Sequence, residues 1–251
     1  MEPYVKSELH KGVMTIEFFH PRSNSLPGKI LHELAVAITH AGEDPGTIVV
    51  VLRSAGEKAF CAGASFDELV AIKNEKEGLK FFNGFAEVIN AMRTCPKLIV
   101  GRIHGKCVGG GVGLASAVDY AIASVDAEIK LSELAIGIGP FVVGPAVERK
   151  IGTSAFSQLA IDATMWRSAE WARKKGLYAE IHSTINEMDE ALSKLVHNLV
   201  HSSPEAMAEL KKICWKGTEN WDKLLTERAA ISGRLVLSDF TRDAINKFKS
   251  K

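Results

Sequence analysis

The sequence has few of the residues that mark several common classes of protein. Of its 251 residues, only 4 are cysteine and 8 are proline, and aromatic side chains make up 7%. Basic and acidic side chains number 31 and 30, so the formal net charge is +1. There is no long run of one charge, and no apolar run approaches the roughly 18 residues of a membrane span. These absences give no support for binding to nucleic acid or to an anionic membrane.

The four cysteines also lack the spacing of a metal or redox site. They stand at positions 61, 95, 107 and 214, and no two form a Cys-x-x-Cys pair. The N-terminus reads Met1-Glu2-Pro3-Tyr4 and has no apolar signal core. We therefore expect a reduced, cytoplasmic protein with no metal and no bound cofactor.

What the sequence does contain is enough apolar residues for one large core. Hydrophobic residues make up 46% of the chain, and no low-complexity linker or internal repeat divides it. Up to about residue 140, strand-like runs alternate with helical ones. The predicted strands are 13–19, 48–52, 98–103 and 120–123, and the predicted helices are 30–41, 79–92 and 110–118. This alternation predicts an α/β fold with a mostly parallel sheet and helices on its faces.

Beyond residue 140 the pattern is almost entirely helical. Helices are predicted over 186–201, 204–215, 219–237 and 240–248, and Ser168 and Ser203 are predicted N-caps. One short run, 177–181, is predicted as a strand. The helices carry apolar stripes, such as Leu192, Leu195 and Leu199, that must be buried somewhere. The sequence leaves open whether they pack on a neighbouring subunit or fold back on their own chain.

Two turns of small residues are the most informative feature of the chain. They read AFCAGAS at 59–65 and GKCVGGGVGL at 105–114, and each lies between a predicted strand and a helical pattern. Backbone N–H groups at the start of a helix lack intrahelical partners and carry partial positive charge. Small side chains let a substrate carbonyl approach them closely. Neither turn has the spacing of a nucleotide-binding loop. The pair therefore predicts two N–H groups that stabilise charge on one oxygen.

Glu133 is the candidate acid–base residue. It follows an alternating stretch, 127–132, and precedes a stretch, 134–140, that is nearly all apolar. An apolar setting removes water from a carboxylate and therefore raises its pKa. A raised pKa suits a group that takes up and returns a proton near neutral pH.

Taken together, these motifs resemble the crotonase (enoyl-CoA hydratase/isomerase) family. Matching segments occur in the family's order at 21–26, 60–64, 109–111, 119, 131–133 and 176–177. The resemblance implies an α/β fold of the crotonase type, with a ββα spiral over residues 1–190 and a C-terminal helical trimerisation region over 191–251. It also implies that the substrate and partner is an acyl-CoA thioester and that the protein is a homotrimer or homohexamer.

The resemblance also implies roles for particular residues. Ala64 and Gly110 would donate the two N–H groups that bind the thioester oxygen, and Glu133 would be the catalytic carboxylate. Coenzyme A would lie along the loop that contains Arg22 and Ser25. Further contacts with coenzyme A would come from Ala62, beside the adenine, and from Lys247 and Lys249 of the last helix.

An acyl pocket is expected beside these groups. Phe141 and Val142 follow the Glu133 segment, and apolar residues from earlier in the chain are expected to complete the wall. The candidate lining residues are Leu69, Leu79, Phe82, Phe141, Val142 and Val143. Such a lining predicts a short or branched acyl chain. Ser65 stands where the family more often has Asp, and it is predicted to cap the helix that follows.

The sequence departs from the best-known hydratases at Gly113, where those proteins carry a second catalytic glutamate. No Asp or Glu lies between Gly101 and Val118. A single carboxylate favours a double-bond isomerase, in which Glu133 moves a proton between two carbons. The segments 110–114, 131–133 and 136–140 also resemble a bacterial branch assigned as methylglutaconyl-CoA hydratases of leucine breakdown, which lacks the same glutamate. Our first hypothesis is hydration of a 2-enoyl-CoA, and the alternatives are a Δ3,Δ2-enoyl-CoA isomerase and a non-catalytic acyl-CoA-binding subunit.

Overall fold

Nine strands form two sheets in the structure, a computed structural model that describes residues 1–249, with side chains to residue 247. In chain order they are β1 (Tyr4–His10), β2 (Val13–Phe19), β3 (Val49–Ser54), β4 (Ala59–Cys61), β5 (Leu98–Ile103), β6 (Lys106–Val108), β7 (Tyr120–Ser124), β8 (Ile129–Lys130) and β9 (Glu180–His182). The main sheet has the order β1-β2-β3-β5-β7-β9. Only β1 runs antiparallel to its neighbour, β2. The predicted α/β fold with a mostly parallel sheet is confirmed.

The helices occupy the segments between the strands and most of the C-terminal part. They are α1 (Gly28–Glu43), α2 (Phe66–Ala71), α3 (Glu75–Thr94), α4 (Gly110–Ala117), α5 (Gly144–Ile161), α6 (Ala169–Lys174), α7 (Ile185–Val200), α8 (Pro204–Cys214), α9 (Trp221–Leu235) and α10 (Asp239–Lys249). A 3₁₀ turn spans Leu134–Ile136. Within residues 1–249, none of the helices combines the length and the hydropathy needed to cross a bilayer.

The second sheet contains β4, β6 and β8, which are parallel and lie in that order. These strands have only two or three residues each, which is too short for an alternating pattern to be recognised in the sequence. They follow β3, β5 and β7 along the chain. The two turns of small residues, 59–65 and 105–114, therefore contain β4 and β6, which separate their glycines from the ends of the long strands.

The two faces of the main sheet bury different sets of side chains because successive residues of a strand point to opposite sides. One face packs on α1 and α3 and contributes to the large core, which includes Ile16, Phe18 and Leu52. The other face packs on α7. There the buried residues are Val49, Val51, Val100, Ile122, Met188 and Val196, with Leu192, Leu195 and Leu199 half-buried against them.

The C-terminal helices fold back on their own chain. Helix α9 crosses α3 so closely that a Cβ on Gly78 would lie 2.5 Å from Gly233 O. Helix α10 packs on the 3₁₀ turn, where a Cβ on Gly137 would lie 2.5 Å from Thr241 Oγ1. Part of the apolar surface of these helices is thus buried within the chain itself, whereas Leu210, Ile213 and Phe240 stay exposed. The predicted division after residue 190 falls inside α7.

Several local predictions can be compared directly with the structure. Ser168 and Ser203 are N-caps, since their hydroxyls accept hydrogen bonds from Trp171 N at 3.2 Å and Ala206 N at 3.3 Å. Ser65 also precedes a helix, but its side chain makes no capping bond, so that prediction is wrong in its mechanism. The strand predicted over 177–181 is β9, three residues long and displaced towards the C-terminus.

Candidate active site

Three chemically important groups follow the three strands of the small sheet. Ala64 lies just beyond β4, Gly110 just beyond β6 and Glu133 just beyond β8. The carboxyl ends of neighbouring parallel strands lie at one edge of a sheet, where ligands bind in many α/β proteins. This placement brings together residues that are far apart in the sequence.

The two turns of small residues touch each other. Gly63 has φ +83°, and a Cβ built on it would lie 2.6 Å from Val108 O and 3.2 Å from Gly110 N. A side chain at this position would be strained by the backbone angle and would also strike the second turn. Glycine is therefore required for Ala64 and Gly110 to come close.

The amides of Ala64 and Gly110 are left without partners. Leu26 N donates to Gly63 O at 2.7 Å and Ser65 N donates to Leu26 O at 3.3 Å, which fixes the first turn on either side of Ala64. Gly110 is the first residue of α4, where an N–H group has no intrahelical acceptor. Among the described residues, no hydrogen bond is donated by either amide. Two such donors can bind one oxygen atom that gains negative charge.

Glu133 lies over the second turn. Gly109 has φ +52°, and a Cβ on it would stand 2.9 Å from Glu133 Oε1, so the carboxylate occupies the space that a side chain would fill. The backbone of Glu133 is fixed, because its carbonyl accepts hydrogen bonds from Ile136 N at 3.2 Å and Ile138 N at 3.0 Å. The carboxylate is therefore held next to the Gly110 amide.

The surroundings of Glu133 change its acidity as the sequence predicts. Its Oε2 atom is shielded and has no hydrogen-bond partner among the described residues. Burial raises the pKa of Glu133 from its usual 4.5 to about 7, although a hydrogen bond to its own backbone opposes this. A carboxyl group with this pKa can accept and release a proton near neutral pH.

The space beside Gly113 is filled by a valine. A Cβ on Gly113 would lie 2.5 Å from Val143 Cγ1 and 2.7 Å from Val143 Cβ, so a larger side chain does not fit without a shift of α5's N-terminal turn. Val143 is itself buried. The position of Gly113, at which the sequence departs from the pattern of the family it resembles, is thus apolar.

A cavity of about 380 Å³ adjoins these groups. It is lined by Ala62, Gly63, Ala64, Gly110 and Glu133, and by four of the predicted acyl-pocket residues, Leu69, Phe141, Val142 and Val143. Phe82 and Leu79 do not line it, contrary to prediction. Phe85 does so instead, one turn further along α3. Both rings pack edge-on against Phe81, at centroid distances of 5.3 Å for Phe82 and 6.1 Å for Phe85.

Polar lining residues that sequence reasoning missed are Lys130, Ser132, Thr164 and Ser232. Lys130 and Ser132 alternate with apolar residues in 127–132, so the period-two pattern of that stretch could have placed both on one face of β8. Ser232 comes from α9, and no local signal in the sequence connects that helix with the cavity.

The residues predicted to bind coenzyme A come from three parts of the chain: the loop after β2, the end of β4 and helix α10. Ala62 lines the cavity, and its N–H group donates to Ser23 O at 3.1 Å. Arg22 is exposed and pairs with Asp67. Ser25 is buried and its hydroxyl bonds to His20 Nδ1 at 2.9 Å, which occupies the group predicted to meet the coenzyme. Lys247 is exposed on α10, and the Lys249 side chain lies outside the described residues.

Comparison with known proteins gives consistent matches over nearly the whole chain. A family model described as enoyl-CoA hydratase/isomerase matches residues 8–247. A "Probable enoyl-CoA hydratase" of Bacillus subtilis is 26% identical over 241 residues, which are 95% of this chain and 93% of that protein. The peroxisomal Delta(3,5)-Delta(2,4)-dienoyl-CoA isomerase of Arabidopsis thaliana is 24% identical over 268 residues and covers 98% and 95% of the two chains.

Among solved structures, an enoyl-CoA hydratase from Bacillus halodurans superposes with a TM-score of 0.89. The two chains are 21% identical, and the match covers 97% of this chain and 99% of the other. At this identity the likeness concerns the fold alone. It agrees with the two-sheet arrangement described above.

Proposed function

This chain belongs to the enoyl-CoA hydratase/isomerase family, and from that premise we propose that it adds water across the 2,3-double bond of an enoyl-CoA thioester. The observation that carries the proposal is the pair of unpartnered amides, Ala64 and Gly110, beside the carboxylate of Glu133. Together they supply a site for the thioester oxygen and a group that moves a proton.

The proposed reaction uses Glu133 twice. Its carboxylate first takes a proton from a water molecule while the oxygen of that water bonds to C3 of the acyl group. The electron pair of the double bond moves to the thioester oxygen, where the amides of Ala64 and Gly110 stabilise the enolate. Each such donor contributes about 3–4 kcal/mol to transition-state stabilisation in enzymes where one has been removed. Protonated Glu133 then returns its proton to C2.

An isomerase is the second candidate, and the apolar surroundings of Gly113 favour it. With Val143 in the space beside Gly113, no second carboxylate of the described residues lines the cavity to hold a water molecule. In this alternative Glu133 would take a proton from C2 of a 3-enoyl-CoA and return it to C4, again through an enolate held by the two amides.

One set of assays separates the two reactions. The protein is incubated with crotonyl-CoA and with 3-methylglutaconyl-CoA, and loss of the conjugated thioester absorbance is followed. A 3-enoyl-CoA is tested in parallel. Hydration predicts loss of absorbance from the 2-enoyl substrates. A gain of absorbance from the 3-enoyl substrate, with no loss from the others, would replace the hydratase by the isomerase.

The Glu133→Gln variant tests whether the protein is a catalyst or only binds acyl-CoA. General acid–base assistance is typically worth about 10² to 10⁴ in rate, so kcat should fall by that factor. Binding of butyryl-CoA, measured by calorimetry, should be retained. Unchanged conversion in the variant would exclude the role proposed for Glu133.

Three finer features are part of the same proposal. The acyl group is a branched, short chain of the methylglutaconyl type, as in leucine breakdown, because Phe141, Val142 and Val143 narrow the cavity. The protein is a homotrimer or a dimer of trimers, which light scattering of the purified protein would detect as three or six times the subunit mass. The predicted cytoplasmic location would be tested by fractionation of the producing cells.

A further inference from the structure

Lys130 is a charged group in the cavity that the proposed reaction does not use. It belongs to β8, and its carbonyl accepts a hydrogen bond from Gly109 N at 2.9 Å, so its backbone is tied to the second turn. Its ammonium group lies over the indole ring of Trp166, 4.4 Å from the centroid. A cation in this position is attracted by the electron-rich face of the ring, which fixes where the long side chain points.

The charge of Lys130 is not balanced by the protein. Lys106 lies over the same Trp166 ring, 4.6 Å from its centroid, but it also pairs with Glu128 at 2.8 Å. Lys130 forms no salt bridge with any described residue. Two ammonium groups therefore share one ring, and only that of Lys106 pairs with a carboxylate. Partial burial and the charge of Lys106 lower the pKa of Lys130, which indicates that its ammonium form lacks a compensating anion.

The position of Lys130 relative to the strands indicates which part of a substrate it faces. The small sheet has the order β4-β6-β8, so β8 lies two strands from β4, or about 10 Å. Ala62, at the end of β4, and Arg22 are on the side where coenzyme A is predicted to bind. The two amides lie between, after β4 and β6. A thioester held by the amides with its coenzyme on the β4 side directs its acyl group towards β8.

We infer that Lys130 binds a carboxylate at the far end of the acyl group, so that the preferred substrates are acyl-CoA thioesters of dicarboxylic acids. The remainder of the cavity wall near Lys130 is mostly apolar, and Glu133 is the other charged side chain of the lining. An acyl group with a terminal carboxylate supplies the missing anion, whereas a neutral acyl group leaves the ammonium uncompensated. This inference rests on the proposed function for the position of the thioester.

The test measures binding and therefore does not depend on turnover. Glutaryl-CoA and butyryl-CoA are saturated thioesters, of which only the first has a terminal carboxylate. Calorimetry gives the Kd of each for the wild type and for the variants Lys130→Met and Lys130→Arg. Lys106→Met is the matched control, because that lysine lies on the same ring but does not line the cavity.

The expected result is that the wild type and Lys106→Met bind glutaryl-CoA about tenfold tighter than butyryl-CoA, as one hydrogen bond to a charged group predicts. Lys130→Met should lose this preference through weaker binding of glutaryl-CoA alone, and Lys130→Arg should keep part of it. Equal affinities in the wild type would overturn the inference. So would an equal loss for both thioesters in Lys130→Met, since Lys130 would then contact the phosphates of the coenzyme.

The two proposals can fail separately. If the protein converts no enoyl-CoA but shows the Lys130-dependent preference, the hydratase proposal is wrong and the carboxylate site stands. If crotonyl-CoA and glutaconyl-CoA are both hydrated with equal kcat/KM, and Lys130→Met changes neither value, the hydratase proposal stands and the carboxylate site is wrong.

Discussion

At the scale of single residues, the chemistry of the site depends on how closely Glu133 and the second turn are packed. Gly109 leaves room for the carboxylate, and the carboxylate in turn has one oxygen without a hydrogen-bond partner among the described residues. Such a group is costly to ionise in the folded protein because water cannot reach it. The same packing that places Glu133 next to the oxygen site therefore tunes its acidity.

This environment makes the effect of Glu133 on stability depend on pH. Folding raises its pKa from 4.5 to about 7. Between pH 4.5 and pH 7, Glu133 is therefore mostly protonated in the folded state and mostly ionised in the unfolded state. Stability should therefore fall as the pH rises through this range. The Glu133→Gln variant cannot ionise and should be more stable than the wild type, by more at pH 8 than at pH 5. Urea unfolding at both pH values measures the difference, and a constant difference would contradict the prediction.

The ionisation of Glu133 that lowers stability as the pH rises should increase the activity. Only deprotonated Glu133 can take a proton from water, so kcat/KM for crotonyl-CoA is expected to decline as the pH falls below about 7. A profile measured from pH 5 to pH 9 would show this limb. A rate that is independent of pH below 7 would indicate that another group is the base.

Because Gly113 lies against Val143, we expect substitutions at these two positions to have non-additive effects on the free energy of unfolding. Gly113→Ala should destabilise the protein by about 1–3 kcal/mol, because the new methyl group meets a rigid, buried side chain. Val143→Ala should relieve that clash, so the double variant should be more stable than the sum of the single effects predicts. Urea unfolding of all four proteins gives the coupling energy. A coupling of zero would mean that the backbone shifts to accommodate the methyl group.

At the scale of elements, the crossing of α3 and α9 joins the C-terminal helices to the core. The backbones approach at Gly78 and Gly233, and a Cβ on Gly233 would lie 2.6 Å from Leu79 N. Helix α9 also contributes Ser232 to the wall of the cavity. The separation of these two helices therefore affects both stability and the shape of the site.

Gly78→Ala is expected to force the two helices apart. The added Cβ would meet backbone atoms, which cannot rotate away, so the free energy of unfolding should fall by about 1–3 kcal/mol in spite of the better helix propensity of alanine. Gly28→Ala in α1 is the matched control, because its Cβ would meet only Glu68 Oε2 at an ordinary 3.4 Å. If both variants unfold at the same urea concentration as the wild type, the crossing is not tightly packed.

At the scale of the whole molecule, the end of the chain returns to the site. Phe240 and Thr241 of α10 contact the 3₁₀ turn that follows Glu133, at Gly137. The last helix thus packs on the segment that holds Glu133. Folding of the C-terminal part and organisation of the site are therefore linked within one chain.

The distribution of thiols gives a test of the overall packing. Cys61, Cys95 and Cys107 are buried, whereas Cys214 is exposed. Burial raises the pKa of Cys61 to about 12, and it raises the pKa of Cys95 and of Cys107 as well, so their reactive thiolate forms are scarce. Ellman's reagent should titrate one thiol in the native protein and four in urea. Rapid reaction of more than one native thiol would show that the core opens.

The residue pattern alone predicts the elements with a strong period and the chemical nature of the turns. Strands β2 and β5 begin and end at the predicted residues because long apolar runs are bounded by polar or glycine residues. It missed β1, an edge strand whose exposed side chains give little apolar signal. The apolar flanks of Glu133 were enough to predict the direction of its pKa, since desolvation depends mainly on neighbouring side chains.

Which distant residues meet depends on how the elements pack in three dimensions. The strands β4, β6 and β8 are too short to be recognised, yet their order places Ala64, Gly110 and Glu133 at one edge and Lys130 on the strand farthest from β4. Helix packing likewise determines that Phe85 lines the cavity and Phe82 does not. It also determines that Val143 fills the space beside Gly113. Such contacts join residues that are remote in the sequence, and periodicity within one segment contains no information about them.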